Sequence, residues 1–360
     1  MNTPNPSPHT RTFRLPADFP LESGATLSEV VVAYRTWGTL QPGGDNAVLV
    51  CHALTGSADV EQWWPALLGP GRTLDPERAF IVCSNVLGGC YGTTGPTSPR
   101  PGSHTCWGPD FPAITIRDMV RLQRQLLAEL GVRRLQLVIG GSLGGMQALE
   151  WAVSFPELVE RAAVIAAPAR HSAWATALSE AQRAAIRADA RFRHGRYPPS
   201  DPPRAGLAAA RMMAMCTYRS PASLAARFDR ATTPDGSFLV ERYLRAHGER
   251  LVARFDANTY ITLTYAMDSH DVGRGRGGCR QALAALPMPV LVVGIDSDVL
   301  YPVSEVHQLA QAIPQARWAV LASPHGHDAF LVEAEAVAAL TRQFLAAGAN
   351  ADPLGGVRCA

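Results

Sequence analysis

Strand-sized apolar runs recur along the chain at 30–33, 47–51, 80–83, 135–139, 162–166, 290–295 and 318–321. They read as buried strands, since each is too short for a helix and lacks a polar face. Helical spacing of apolar positions stands between several of them, notably over 116–130 and 143–154. This alternation predicts the α/β class, with a mostly parallel sheet covered by helices on both faces. Between Pro168 and about Pro287 the strand signal vanishes. Alanine- and arginine-rich helical sequence replaces it, interrupted by Tyr197-Pro-Pro-Ser-Asp-Pro-Pro203. The sheet pattern resumes at Pro289-Val-Leu-Val-Val-Gly294, so the helical stretch reads as a lid inserted within one domain. The expected division is a core of 12–167 and 288–345, a lid of 168–287, and disordered tails at 1–11 and 346–360.

The segment Leu135-Gln-Leu-Val-Ile-Gly-Gly-Ser142-Leu-Gly-Gly145 runs from one of these strands into a helix through G-x-S-x-G. In that context the pattern reads as a nucleophile elbow: glycines allow a sharp strand-to-helix turn that presents the Ser142 hydroxyl at the rim of the sheet. The geometry suits attack on a carbonyl. Composition narrows the alternatives. With 360 residues, 47% of them hydrophobic, the chain is long enough for one large core plus an insertion. Its 33 basic and 31 acidic residues leave a formal charge of +2, with no basic run interleaved with aromatics, so no nucleic-acid partner is expected. No apolar run spans a membrane and the N-terminus lacks a secretory pattern, so a cytoplasmic protein with no membrane partner is expected. Seven cysteines, an odd number without C-x-x-C, read as reduced thiols, and no metal pattern is present.

A serine nucleophile needs a histidine to take its proton and a carboxylate to orient that histidine. In an α/β-hydrolase arrangement the order is serine, acid, histidine, with acid and histidine in loops after late strands. Gly294-Ile-Asp-Ser-Asp-Val-Leu-Tyr-Pro302 offers Asp296 and Asp298; Ser323-Pro-His-Gly-His-Asp-Ala-Phe330 offers His325 and His327. Asp298 and His327 are preferred because each lies farther from its strand, where a loop reaches across the sheet. The competing aspartate reads as a helix cap and the competing histidine as an ordinary loop residue. The oxyanion formed on attack needs backbone donors. One is expected from Leu143 and the other from the loop Cys51-His-Ala-Leu-Thr-Gly-Ser57, at Leu54. His52 in that loop reads as a packing residue.

Several long motifs resemble the homoserine O-acetyltransferase family of α/β-hydrolase fold. They are Leu87-Gly-Gly-Cys-Tyr-Gly-Thr-Thr-Gly-Pro96, Gly108-Pro-Asp-Phe-Pro112, Thr115-Ile-Arg-Asp-Met-Val120, Gly140-Gly-Ser-Leu-Gly-Gly-Met-Gln-Ala-Leu-Glu-Trp151 and Gly326-His-Asp-Ala-Phe-Leu331. The likeness spans about residues 12–345. It implies ping-pong acyl transfer from acetyl-CoA, a co-substrate with no other cofactor, to the hydroxyl of L-homoserine in methionine biosynthesis, and it implies a homodimer. It supports Ser142, Asp298 and His327 as the triad. Ala210-Arg-Met212 matches the family's substrate-binding motif and assigns Arg211 to the homoserine carboxylate, with Arg219 the competing choice; Asp328 is implied to meet the homoserine ammonium. Leu143 stands where many members have methionine, and the loop 97–107 departs from the family sequence. Gly273-Arg-Gly-Arg-Gly-Gly278 offers arginines to the CoA phosphates, with a flexible connection as the plainer reading. The sequence leaves acetyl or succinyl donor, homoserine or serine acceptor, and hydrolysis by water as alternatives.

Overall fold

The computed structural model describes residues 7–347. In chain order the strands are β1 (Arg11–Arg14), β2 (Phe19–Pro20), β3 (Thr26–Leu27), β4 (Val31–Trp37), β5 (Ala47–Cys51), β6 (Phe80–Ser84), β7 (Leu135–Gly141), β8 (Ala162–Ile165), β9 (Val290–Ile295) and β10 (Ala316–Leu321). The helices are α1 (Val60–Trp63), α2 (Ile116–Glu129), α3 (Leu143–Ser154), α4 (Ala173–Ala188), α5 (Arg204–Tyr218), α6 (Pro221–Phe228), α7 (Leu239–Val252), α8 (Ala257–Asp268), α9 (Cys279–Ala284), α10 (Val303–Gln311), α11 (Ala329–Val332) and α12 (Ala334–Ala346). Eight strands form one sheet in the order β1-β4-β6-β5-β7-β8-β9-β10, and β2 with β3 forms a small separate ribbon. From β6 to β10 every pairing is parallel; β1 and β4 turn the other end antiparallel.

The inner strands β5 to β9 carry nearly continuous apolar runs because both of their faces are covered. Along β5 and β6, Leu49, Cys51, Phe80 and Val82 face one core, which also holds Met119 and Leu122 of α2, Met146 and Leu149 of α3, and Val306 and Leu309 of α10. Val48, Val50, Ile81 and Cys83 face the other, with Val60 of α1, Phe330 of α11, and Val337 and Phe344 of α12. Alternate side chains thus serve opposite layers, as the pleat requires. Helices α4 to α9 all lie between β8 and β9 and join the first of these cores through Ala175, Leu207, Leu251 and Tyr260.

Two edges differ from expectation. Arg11 already belongs to β1, and α12 continues to Ala346, so the described chain is ordered slightly beyond 12–345 at both ends. Pairing with β4 holds the first, while apolar burial of Leu340 and Phe344 carries the second. The remaining tail expectations, at 1–6 and 348–360, lie outside the described residues.

Candidate active site

Ser142 joins β7 to α3 with φ 59° and ψ −125°, a left-sided conformation that L-residues rarely adopt. The surrounding hydrogen bonds hold it there: its N–H donates to Ile165 O at 2.9 Å, and Met146 N–H donates to its carbonyl at 3.0 Å. Glycine is required beside it by close approach. A Cβ on Gly144 would stand 2.0 Å from Cys51 O, and one on Gly140 2.3 Å from Gly144 O. A buried polar chain braces α3 from behind. The Trp151 indole donates to Gln123 Oε1 at 2.7 Å, Gln123 donates to Gln147 Oε1 at 2.8 Å, and Gln147 donates to the carbonyl of His52 at 3.3 Å.

The loops after β9 and β10 meet beside the elbow. His327 Nδ1 lies 2.7 Å from Asp298 Oδ2, and Asp298 Oδ1 accepts the N–H groups of Leu300 and Tyr301 at 2.8 and 3.0 Å. A carboxylate there places the histidine proton on Nδ1, leaving the Nε2 lone pair for a substrate proton. His327 is 2% exposed, and its Nε2 is buried without a hydrogen-bond partner. The rings of Tyr218, Tyr301 and Phe330 box it in, with centroids 5.3–5.6 Å away. Burial draws its pKa down, but the neighbouring Asp298 carboxylate outweighs burial and the net shift is upward. Ser142 makes no side-chain hydrogen bond to it among the described residues.

The competing residues have other work. Asp296 accepts the Ser323 N–H at 3.0 Å and ties the two loops together. His325 accepts from the Arg219 guanidinium at 3.0 Å. His52 bonds on both sides, its Nδ1–H to Ala53 O at 2.8 Å and its Nε2 from Val86 N–H at 3.2 Å, and burial pushes its pKa down to about 4. It is a neutral staple of the loop that carries Leu54. The Leu54 N–H donates to no acceptor among the described residues. The Leu143 N–H opens α3 and has no intrahelical acceptor.

Arg211 of α5 and Asp328 beside the histidine are the two uncommitted charges of the region. Among the described residues neither makes a hydrogen bond or an ion pair; Arg211 stacks over Tyr218, 5.2 Å from the ring centre. Burial raises the pKa of Asp328, while the positive charges of His327, Arg211 and Arg219 oppose it. Arg219 is spent on Ser223 Oγ at 2.7 Å and on His325. The arginines of 273–278 are also spent. Arg274 reaches Glu22 at 2.7 Å, and Arg276 grips Glu150 at 2.7 and 3.1 Å, a buried carboxylate that Arg117 holds from the other side at 3.0 Å. That stretch clasps the lid's end to α3. The loop 97–107 forms a short hairpin, with Arg100 N–H donating to Thr105 O at 2.9 Å and Trp107 N–H to Ser98 O at 3.0 Å. Among the described residues no group of three or more His, Cys, Asp or Glu side chains is arranged to hold a metal ion.

The profile of the alpha/beta hydrolase fold family matches residues 46–334. The homoserine O-acetyltransferase of Chlorobium luteolum is 54% identical over 341 residues, covering 95% of each chain. The chain belongs to the homoserine O-acetyltransferase family. A solved structure of the homoserine O-acetyltransferase from Staphylococcus aureus superposes with a TM-score of 0.79 at 30% identity, covering 96% of this chain and 97% of that one. Esterase E22 superposes with a TM-score of 0.86 at 27% identity, covering 93% and 99%. Within the family fold, the ring box of Tyr218, Tyr301 and Phe330 went unrecognised in the sequence. Tyr301, three residues after Asp298, and Phe330, three after His327, carry a positional cue; Tyr218 carries none.

Proposed function

We propose that this chain transfers acetyl from acetyl-CoA to the hydroxyl of L-homoserine through an acetyl-serine at Ser142. The observation that carries the reading is the pair of half-buried opposite charges, Arg211 on the Tyr218 ring that packs against His327 and Asp328 next to His327, neither with a hydrogen bond or ion pair among the described residues. Burying unpaired charge is costly unless a ligand completes it. An α-amino acid brings the complement, with its carboxylate for the guanidinium fork and its ammonium for Asp328.

In the first half, Ser142 Oγ attacks the thioester carbonyl while His327 Nε2 takes its proton. The oxyanion accepts the N–H groups of Leu143 and Leu54. Collapse breaks the C–S bond, and the thiolate leaves with the proton from His327. In the second half, His327 takes the proton of the homoserine hydroxyl as that oxygen attacks the acetyl-serine. The second collapse returns the proton to Ser142 and releases the O-acetyl ester. Asp298 steadies the imidazolium in both halves.

The reading places the enzyme in the cytoplasm, where acetyl-CoA is available. Free thiols at six described cysteines agree with a reducing compartment, and among the described residues no helix is long and apolar enough to cross a membrane. It also takes the enzyme to be a homodimer packed through the lid, where Met213 of α5 stands exposed; a solution mass of twice the chain's is expected.

Likeness to esterase E22 favours one alternative, hydrolysis of the acetyl-enzyme by water. Release of CoA from acetyl-CoA separates the two. The transferase reading expects L-homoserine to accelerate it at least tenfold over buffer, with L-serine and succinyl-CoA as poorer partners. Rapid, repeated CoA release that no amino acid accelerates would make the enzyme a thioesterase.

A further inference from the structure

One lid side chain hydrogen-bonds to the loop that carries Leu54. Arg254 lies in the short link between α7 and α8, and its guanidinium crosses to the core. There it donates to the carbonyl of Thr55 at 2.7 Å and to the hydroxyl of Tyr91. Thr55 follows Leu54 in a tight turn closed by Gly56 N–H donating to Ala53 O at 2.9 Å, and His52 holds the same Ala53 carbonyl from below. The turn is thus pinned at its first residue by the core and at its third by the lid. The Leu54 N–H between these pins stays without an acceptor among the described residues.

Two further contacts seat the arginine. Phe255 packs edge-on against Tyr91 at 6.0 Å, and Asp256 turns back into the lid to accept from Tyr197 Oη at 2.6 Å and from the Thr259 N–H at 2.8 Å. Arg254 consequently has no carboxylate within ion-pair distance among the described residues. A half-buried cation is spent on a carbonyl and a phenol, which makes its position strict: those neutral acceptors reward it only in this geometry.

We infer that Arg254 is a positioning residue of the lid that holds the Leu54 turn in the orientation needed to receive the oxyanion. The inference rests on the acetyl-transfer reading and deepens it. Acylation then depends on a seated lid, although no lid residue contacts the thioester carbonyl through this route. A loosened turn lowers the rate of both acyl transfers and leaves the Arg211 and Asp328 clamp, and hence homoserine affinity, in place.

The test is single-turnover CoA release from full-length Arg254→Met and Arg254→Lys with acetyl-CoA, alongside steady-state kinetics and thermal melting. Loss of one member of an oxyanion hole costs about 10²–10³ in rate, so a turn that is loosened and still present should cost about 10–100-fold. The expected result is that loss in Arg254→Met, with the KM for homoserine within about twofold of the parent and partial recovery in Arg254→Lys, which retains one donor. Parental acylation by a folded Arg254→Met overturns the inference. So does a loss that Arg254→Lys fails to lessen and that tracks a lowered melting temperature in both variants. Ser142→Ala separates the underlying reading: if it still forms an acetyl-enzyme, the reaction assignment fails whatever Arg254 does.

Discussion

Two regions of this molecule use arginine in opposite ways. At the junction of α3 with the lid's end, Arg276 and Arg117 enclose the buried Glu150 carboxylate. Burial alone would raise the pKa of Glu150, but the two guanidiniums and the Ser154 hydroxyl outweigh it and hold the group below its ordinary value. Beside His327, Arg211 faces a ring and Asp328 faces no donor. The first arrangement is complete within the chain and supplies stability; the second leaves both charges without a hydrogen bond or ion pair among the described residues, which is where the proposed function seats the amino acid. The number of arginines in a lid therefore says little about its function. What matters is which of their hydrogen bonds the fold has already used.

The contrast can be broken most severely at the centre of charge transfer. Asp298→Asn should lower turnover about 10⁴-fold by disturbing the His327 tautomer. It should also move the acid limb of kcat/KM. His327 must be neutral to accept a proton, and its raised pKa puts the parent's limb above the ordinary histidine value; without the Asp298 carboxylate, burial is opposed by Asp328 alone and the limb falls. An unchanged limb would mean that another group sets the pH dependence.

Arg211→Met addresses the incomplete region. Losing a charge-assisted contact worth about 1.5–3 kcal/mol should raise the KM for homoserine about 10–100-fold, with single-turnover acylation unchanged. Melting should move little, since the stacking on Tyr218 is lost but no hydrogen bond or ion pair is. Arg276→Met, the mirror experiment, should cost about 2 kcal/mol in urea denaturation because Glu150 keeps only one guanidinium, while the KM of the folded fraction stays at the parental value. Should Arg211→Met unfold the protein or Arg276→Met spoil homoserine binding, the distinction between a used and an unused arginine is wrong.

The sequence made some of these features legible and hid others for physical reasons. Runs such as 47–51 and 290–295 are readable because both faces of those strands are buried, so every position is apolar. β1, written Arg-Thr-Phe-Arg, is an exposed edge strand with no such signature, and the antiparallel turn it makes with β4 was not foreseen. β4 runs on past 33 because the buried Arg35 is neutralised by Asp59 and Glu61. The elbow was legible because its glycines are forced by backbone approach within a few residues. The pairing of Arg276 with Glu150, the contact of Arg254 with Thr55 and the choice between Arg211 and Arg219 depend on segments 100 or more residues apart, which spacing along the chain does not encode.

Gly326 adopts φ +69°, and a Cβ there would stand 2.6 Å from Ser220 N and 2.9 Å from Tyr218 O. The Ser220 hydroxyl donates to the Pro324 carbonyl. The end of the lid's α5 is thereby hooked onto the very loop that carries His327. A side chain at Gly326 would therefore push two segments apart at once, the lid end at 218–220 and the turn that sets His327 against Asp298.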